Sequence, residues 1–367
     1  MYHGKIQTLH LEPSQLCNAS CTVCNRRLHG GPKNPNIKDV YTTLAQVKKW
    51  FTPKFIGGLN RLILCGNYGD PMTNPDLLEI VAYFRQHAPT LFITMHTNAS
   101  GRSKKWWHDL GTLIGKHGDV YFSIDGLEDT NHIYRRGTRW SPIMDAVNGY
   151  ISSGASAIWD YLIFRHNEHQ VDLAEKMSRE LGFRKFIKKT AFGFYNDDPM
   201  IALTHEGEFD YFIYPKGSTV NKVPDQYDWN VNSVFDVNAK PDISTVPQDI
   251  KDRLDVVDIS CMAENGSEIY VNAYGLLFPC CFTAGKWQAD SGFVNAQLRE
   301  FIRTYDEQTI DLNKYELDHI LHNSMFIDGY KDSWKCPSLE QGKLMVCAEF
   351  CGKYKENTFT QILKDTS

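Results

Sequence analysis

Short apolar runs alternate with amphipathic stretches through the first 195 residues. Ile6–Leu11, Arg61–Cys65, Leu91–Thr97, Val120–Asp125, Ile158–Phe164 and Phe183–Thr190 have the length and apolar character of strands. Between them, Thr42–Phe51, Pro75–His87, Lys104–Lys116, Pro142–Ser153 and Val171–Leu181 read as helices. The last stops at Gly182, a residue suited to the left-handed backbone that ends a helix. Strand–helix repeats of this length predict parallel strands joined by right-handed crossovers. Six units are too few to close an eight-fold barrel, so the expected fold is α/β, a partial (β/α)6 barrel. In such folds chemistry collects where strands end and loops begin.

The pattern changes after residue 195. Residues 196–259 are rich in Asp, Pro, Asn and Thr, with scattered aromatic residues such as Phe209, Tyr211, Tyr227, Trp229 and Phe235. Periodicity there is weak, which predicts a bridging segment that connects along the surface. Alternation returns in Ser267–Asn272 and Leu276–Pro279, two strands joined by a turn around Ala273–Gly275. The expected organisation is a barrel over 1–195, a bridge over 196–259, a small cysteine-rich domain over 260–355 that begins with this hairpin, and a tail over 356–367.

Composition narrows the function classes. At 367 residues, 42% hydrophobic and 23% charged, the chain can bury a large core. Net charge is −5 with no long basic run, so nucleic-acid binding lacks its electrostatic footprint. No stretch approaches the apolar length of a membrane span, and the N-terminus lacks a signal pattern. Ten cysteines in this setting point to reduced thiols serving metals in the cytoplasm.

Cys17, Cys21 and Cys24 follow the first predicted strand. Three thiolates at this spacing can hold three corners of an iron–sulfur cube and leave the fourth iron open to a small molecule. Zinc is the alternative, with His29 joining the three cysteines. Near the C-terminus Cys261, Cys280, Cys336, Cys347 and Cys351 suggest a second metal site, since the hairpin folds Cys280 back toward Cys261. An all-thiolate site suits iron–sulfur or zinc. Cys65 reads as a core thiol, and Cys281 points away from its neighbour Cys280 if the strand continues.

The spacing Cys17-x3-Cys21-x2-Cys24 after a first strand resembles the radical S-adenosylmethionine (SAM) enzymes. Tyr68-Gly69-Asp70-Pro71 resembles that family's Gly-Gly-Glu-Pro motif. Thr97-Asn98, Ser123-Ile124-Asp125-Gly126 and Arg165-His166-Asn167 fall where its later motifs do. Cys261, thirteen residues, Gly275, four residues and Cys280 resemble the opening of the SPASM or twitch extension, and Cys347-x3-Cys351 a later piece. Val23 departs from the aromatic residue usual before the third cysteine.

The resemblance implies a [4Fe–4S] cluster on Cys17, Cys21 and Cys24, bound SAM, and one auxiliary [4Fe–4S] cluster. It implies that Gly66, Tyr68, Gly69, Asp70 and Pro71 approach the methionine end of SAM. Asn98, Ser123 and Asp125 would meet ribose hydroxyls. Arg165 would reach either the methionine carboxylate or the substrate. Cys336 and Cys347 compete for the last place at the auxiliary cluster. The implied reaction is reductive cleavage of SAM and abstraction of a substrate hydrogen, with a reductant such as flavodoxin or ferredoxin. Peptide or protein modification is the expected use. A sugar or cyclitol alcohol dehydrogenase is the alternative within the family, and a zinc-stabilised binding module the alternative outside it.

Overall fold

A computed structural model describes residues 6–191, 194, 198–221 and 234–353 of the chain. Six parallel strands succeed one another in sequence order across one sheet: β1 (Thr8–Leu11), β2 (Arg61–Leu64), β3 (Phe92–Thr97), β4 (Gly118–Ser123), β5 (Ser156–Ile163) and β6 (Lys185–Thr190). Helices Leu44–Trp50, Leu77–His87, Lys104–Ile114, Trp140–Ser152 and Val171–Leu181 fill the connections. The expected partial barrel is present, with element ends shifted by a few residues.

Local chemistry explains these elements. Thr43 and Gln46 form a reciprocal capping box that starts Leu44–Trp50. Gly182 adopts φ 90° at the end of Val171–Leu181, as its position predicts. Along the strands one face is apolar. Leu62, Leu64, Ile93, Met95, Val120 and Phe122 are fully buried in a core shared with the helices. The other face carries polar pairs: Arg61 donates to Thr94 Oγ1 at 3.2 Å, His96 stacks on Tyr121, and Lys189 meets Asp160 at 2.7 Å.

Two hairpins lie outside the six-fold repeat. The first, β7 (Met200–Leu203) and β8 (Phe209–Ile213), belongs to the segment expected to be a surface connection. It packs instead on the cysteine loop. Leu203 N–H donates to His29 O at 3.0 Å, and Arg136 bridges to Asp210 at 2.7 Å. Met200 and Ile213 share an apolar cluster with Tyr134 and Phe164, against which Cys21 and Val23 pack. Tyr227, Trp229 and the 356–367 tail lie outside the described residues.

The chain then forms β9 (Asp258–Ile259), followed by the predicted C-terminal hairpin, β10 (Glu268–Val271) and β11 (Leu277–Phe278). β10 pairs in parallel with β1 and antiparallel with β11, so the barrel sheet grows to eight strands in the order β11-β10-β1-β2-β3-β4-β5-β6. Gly275 makes the turn at φ 90°, and a Cβ there would lie 2.5 Å from the Trp50 ring. A last short strand, β12 (Gly352–Lys353), returns to pair with β9. No helix among the described residues is long and apolar enough to cross a membrane.

Candidate functional site

Cys17, Cys21 and Cys24 line one cavity of about 500 Å³, with Gly66, Tyr68, Gly69 and Asp70 after β2, Asn98 after β3 and Ser123 at the end of β4. This is the strand-end position predicted from the repeat. Burial pushes the Cys17 and Cys21 thiols up to about 12 and Cys24 to about 11. Neighbouring thiols add to each shift, so the three face one another electrostatically. Metal ligation replaces such thiol protons. Asn98 Nδ2 stands 3.7 Å from Cys17 Sγ and also donates to Asn18 at 3.0 Å, which steadies the cysteine loop.

The loop after β2 is held by a carboxylate that the motif comparison passed over. Glu12, fully buried just beyond β1, accepts from the backbone N–H of Tyr68 at 2.9 Å and Gly69 at 3.3 Å, and from Tyr270 Oη at 3.0 Å. Burial pushes its carboxyl up, and these hydrogen bonds oppose the shift. Gly69 lies so close to the chain that a Cβ would come 1.8 Å from Ser14 O. Asp70 lines the cavity and ties the loop to the end of β3. It accepts from Met72 N–H, Thr97 Oγ1 and Asn98 N–H at 3.1, 2.9 and 2.7 Å. Pro71 is buried at the start of the following 3-10 turn and is not part of the cavity wall.

Asp125 and Arg165 do not stand where the resemblance places them. Asp125 is fully buried, accepts from Leu162 N–H at 2.7 Å and pairs with Arg135 Nε at 2.7 Å. Its carboxylate is spent on the fold and does not line the cavity. Arg165 sits over the Tyr214 ring at 3.5 Å and donates to Val220 O at 2.7 Å, away from the cysteines. Two cations line the cavity, Lys286 and Arg135. Asp125, Cys21 and Tyr134 hold its guanidinium protonated against the cost of burial. Nothing in the motif spacing distinguishes Arg135 from Arg136 beside it. Cys65, expected in the core, also lines this cavity, because β2 ends at Leu64 and the chain turns there.

A second cavity gathers Cys261, Cys280, Cys347 and Cys351. The β9–β12 ladder sets Gly352 opposite Ile259 and so brings Cys351 beside Cys261. Cys351 holds the Cys261 thiol below its ordinary value. Helix Met345–Cys351 places Cys347 one turn from Cys351. Cys336 is not in this wall; its thiol reaches back to Asp332 O at 3.5 Å. Of the two contested cysteines, Cys347 lines this cavity. His29 lines a different cavity, with Arg27 and Phe235, and does not join the triad. Among the described residues no three His, Cys, Asp or Glu side chains are gathered tightly enough for a single metal ion. The triad cavity, at about 500 Å³, has room for a larger group.

The two cavities share a wall. Cys280 faces one and Cys281 the other; the strand ends at Phe278 and Cys281 opens a helix, so the expected continuation of the strand is not what separates them. Phe282 and Phe350 line both, stacked with centroids 4.1 Å apart. Tyr68 Oη donates to Gly285 O, and Asn67 Nδ2 donates to Cys281 O at 2.9 Å, clamping the β2 loop to helix Cys281–Trp287.

The fold is shared with solved radical SAM enzymes. The chain is similar to anSMEcpe solved with AdoMet bound, at TM-score 0.51 and 13% identity over 98% of this chain and 95% of that one. It is similar to SuiB of Streptococcus suis bound to its precursor peptide SuiA, at TM-score 0.51 and 13% identity over 95% of this chain and 72% of that one. A further SuiB structure matches at TM-score 0.46 and 12% identity over 78% of this chain and 63% of that one, a likeness too low to build on. No protein-family model and no curated protein sequence matches the chain.

Proposed function

We propose that the chain is a radical SAM enzyme that modifies a peptide or protein by oxidation, crosslinking or epimerisation. The observation that carries this reading is the first cavity, where three mutually facing thiols meet strand-end loops able to hold a nucleoside and an amino acid. Cys17, Cys21 and Cys24 would hold a [4Fe–4S] cluster, leaving one iron to SAM. When bound, that cluster supplies the electron that splits the sulfonium and yields a 5′-deoxyadenosyl radical, which takes a hydrogen from the substrate.

The chain's own residues bind and orient. Gly66, Tyr68 and Gly69 present backbone to the methionine amino group, in a loop that Glu12 fixes from behind. Asn98 and Ser123 would hydrogen-bond ribose hydroxyls. Arg135, which lines the cavity wall with Lys286, would meet the methionine carboxylate, one of the two partners left open for Arg165. Phe282 and Phe350 exclude water between the two centres. Cys261, Cys280, Cys347 and Cys351 would hold an auxiliary cluster with every iron ligated, which suits electron transfer. A flavodoxin- or ferredoxin-type reductant would supply the first electron.

Two observations favour a peptide over a small alcohol. A further cavity of about 450 Å³, lined in part by Arg27, Met200, Phe235 and Asp290, shares Val23 and Asn25 with the triad cavity. An extended chain would run from one to the other. SuiB and anSMEcpe, whose fold this chain shares, are each seen with a peptide bound. The test is anaerobic reconstitution with iron and sulfide, followed by reductant and SAM. Brown absorbance and 5′-deoxyadenosine are expected, with faster turnover when a peptide encoded beside the gene is added. Absence of 5′-deoxyadenosine from iron-replete protein would sink the proposal. Turnover raised only by a sugar or cyclitol would replace the peptide with a small alcohol.

A further inference from the structure

The second cavity poses a hydrogen-bonding problem. Its lining among the described residues holds four thiols, apolar side chains, Thr283, Tyr330 and Trp334, and no charged side chain. Two of the sulfurs already have polar neighbours. Glu264 N–H lies 3.5 Å from Cys261 Sγ, and Thr283 Oγ1 lies 3.6 Å from Cys280 Sγ. The Trp334 indole, whose donor is Nε1, lines the same wall as Cys347. At the geometry of this structure, however, Nε1 makes no full hydrogen bond.

Tyr330 is left over. Its side chain is 1% exposed, its ring packs on Phe301 and Phe326, and its Oη is buried with no partner. Buried hydroxyls are rarely left so, since an unmet donor loses its water without replacement. Tyr330 and Trp334 are four residues apart on helix Tyr330–Lys335, so both side chains project from one face. That face is the cavity wall.

We propose that Tyr330 Oη–H and Trp334 Nε1–H are hydrogen-bond donors to the sulfurs of an iron–sulfur cluster held by Cys261, Cys280, Cys347 and Cys351, and that they raise its reduction potential. The inference rests on the proposed function, which puts a cluster in this cavity. A reduced cluster is more negative than an oxidised one, so donors aimed at its sulfurs favour reduction. With no cation in the wall, dipoles must do this work. The two residues tune and position; neither touches SAM or substrate.

The test uses full-length chain carrying Cys17→Ala, Cys21→Ala and Cys24→Ala, so that only the second site holds iron. Redox titration followed by electron paramagnetic resonance is compared for this protein and for added Tyr330→Phe or Trp334→Phe. Each addition is expected to lower the midpoint potential, cutting the reduced-to-oxidised ratio at fixed potential about tenfold, or ~59 mV for one electron. Electron–nuclear double resonance of the unsubstituted second site in D2O is expected to show exchangeable deuterons on the reduced cluster. That measurement stands even if a variant loses iron. Full iron with an unmoved potential, or no exchangeable coupling, overturns the inference. No iron at the second site in the parent protein overturns the cluster assignment itself.

Discussion

Replacing Asp125 with Asn separates the two roles open to this residue. The resemblance makes it a ribose ligand, whereas the structure makes it the counterion of a buried arginine. Asp125 is 0% and Arg135 16% exposed by side chain, and they meet at 2.7 Å. An Asn retains an oxygen to accept from Leu162 N–H, and the Asn131 and Asn167 contacts engage only the Asp125 backbone. The substitution therefore removes the charge and little else. Breaking a buried ion pair by removing one partner costs about 3–5 kcal/mol, because the other charge is left uncompensated. Urea unfolding of the iron-free chain reads this directly. With a slope near the upper end for such chains, about 3 kcal/mol/M, the midpoint falls by about 1 M or more. The double variant Asp125→Asn/Arg135→Met removes both charges and should recover most of the loss. A single variant that costs under about 1 kcal/mol, or a double variant no better than the single, refutes the counterion role.

Other expectations follow from single contacts. Gly69→Ala drives a Cβ into Ser14 O, so the β2 loop must move. SAM binding, measured by equilibrium dialysis on reconstituted protein, should weaken about tenfold or more, and unchanged affinity would contradict the placement of that loop. Cys347→Ala should lose the second iron site while Cys336→Ala keeps it, as counted by iron analysis and Mössbauer spectroscopy. The reverse pattern would mean that Cys336 is the ligand. The iron-free fold should also lose stability above pH 9. Cys17, Cys21 and Cys24 stay protonated in the fold up to about 11 or 12, whereas the unfolded chain ionises them from an ordinary value of 9.0. The raised folded values favour the fold below pH 9, and that advantage is lost between 9 and 12. A pH-independent unfolding midpoint across that window, once the other titrating groups are matched by a triad-to-alanine control, would argue against buried thiols.

Much of the fold was legible because period and punctuation agree along this chain. Every predicted barrel strand and helix overlaps an observed one, since each apolar run is bounded by turn residues and each helix buries one face. The triad was legible because its three ligands sit within eight residues. What sequence could not resolve depended on long-range packing. The β7–β8 hairpin has weak alternation because Phe209 and Asp210 are exposed, and it is held by Arg136 and Tyr134 from far along the chain. Arg135 reads like Arg136 until Asp125 turns one of them inward. Arg165 matches its motif in position but follows the Phe164–Pro215 bridge outward to Tyr214. The choice of Cys347 over Cys336 waits on the β9–β12 ladder, which has only two residue pairs. Glu12 carries a local signal that could have been used: a carboxylate directly after an apolar strand and before Pro13.

The central claim is that the chain holds two independent iron sites and that the triad alone cleaves SAM. The most direct test is the Cys17→Ala/Cys21→Ala/Cys24→Ala protein, reconstituted anaerobically beside the unsubstituted chain and assayed for iron and for 5′-deoxyadenosine. The account predicts loss of about half the iron, a remaining cubane signal in the Mössbauer spectrum, and no SAM cleavage. Loss of all iron, or cleavage that persists without the triad, would contradict it.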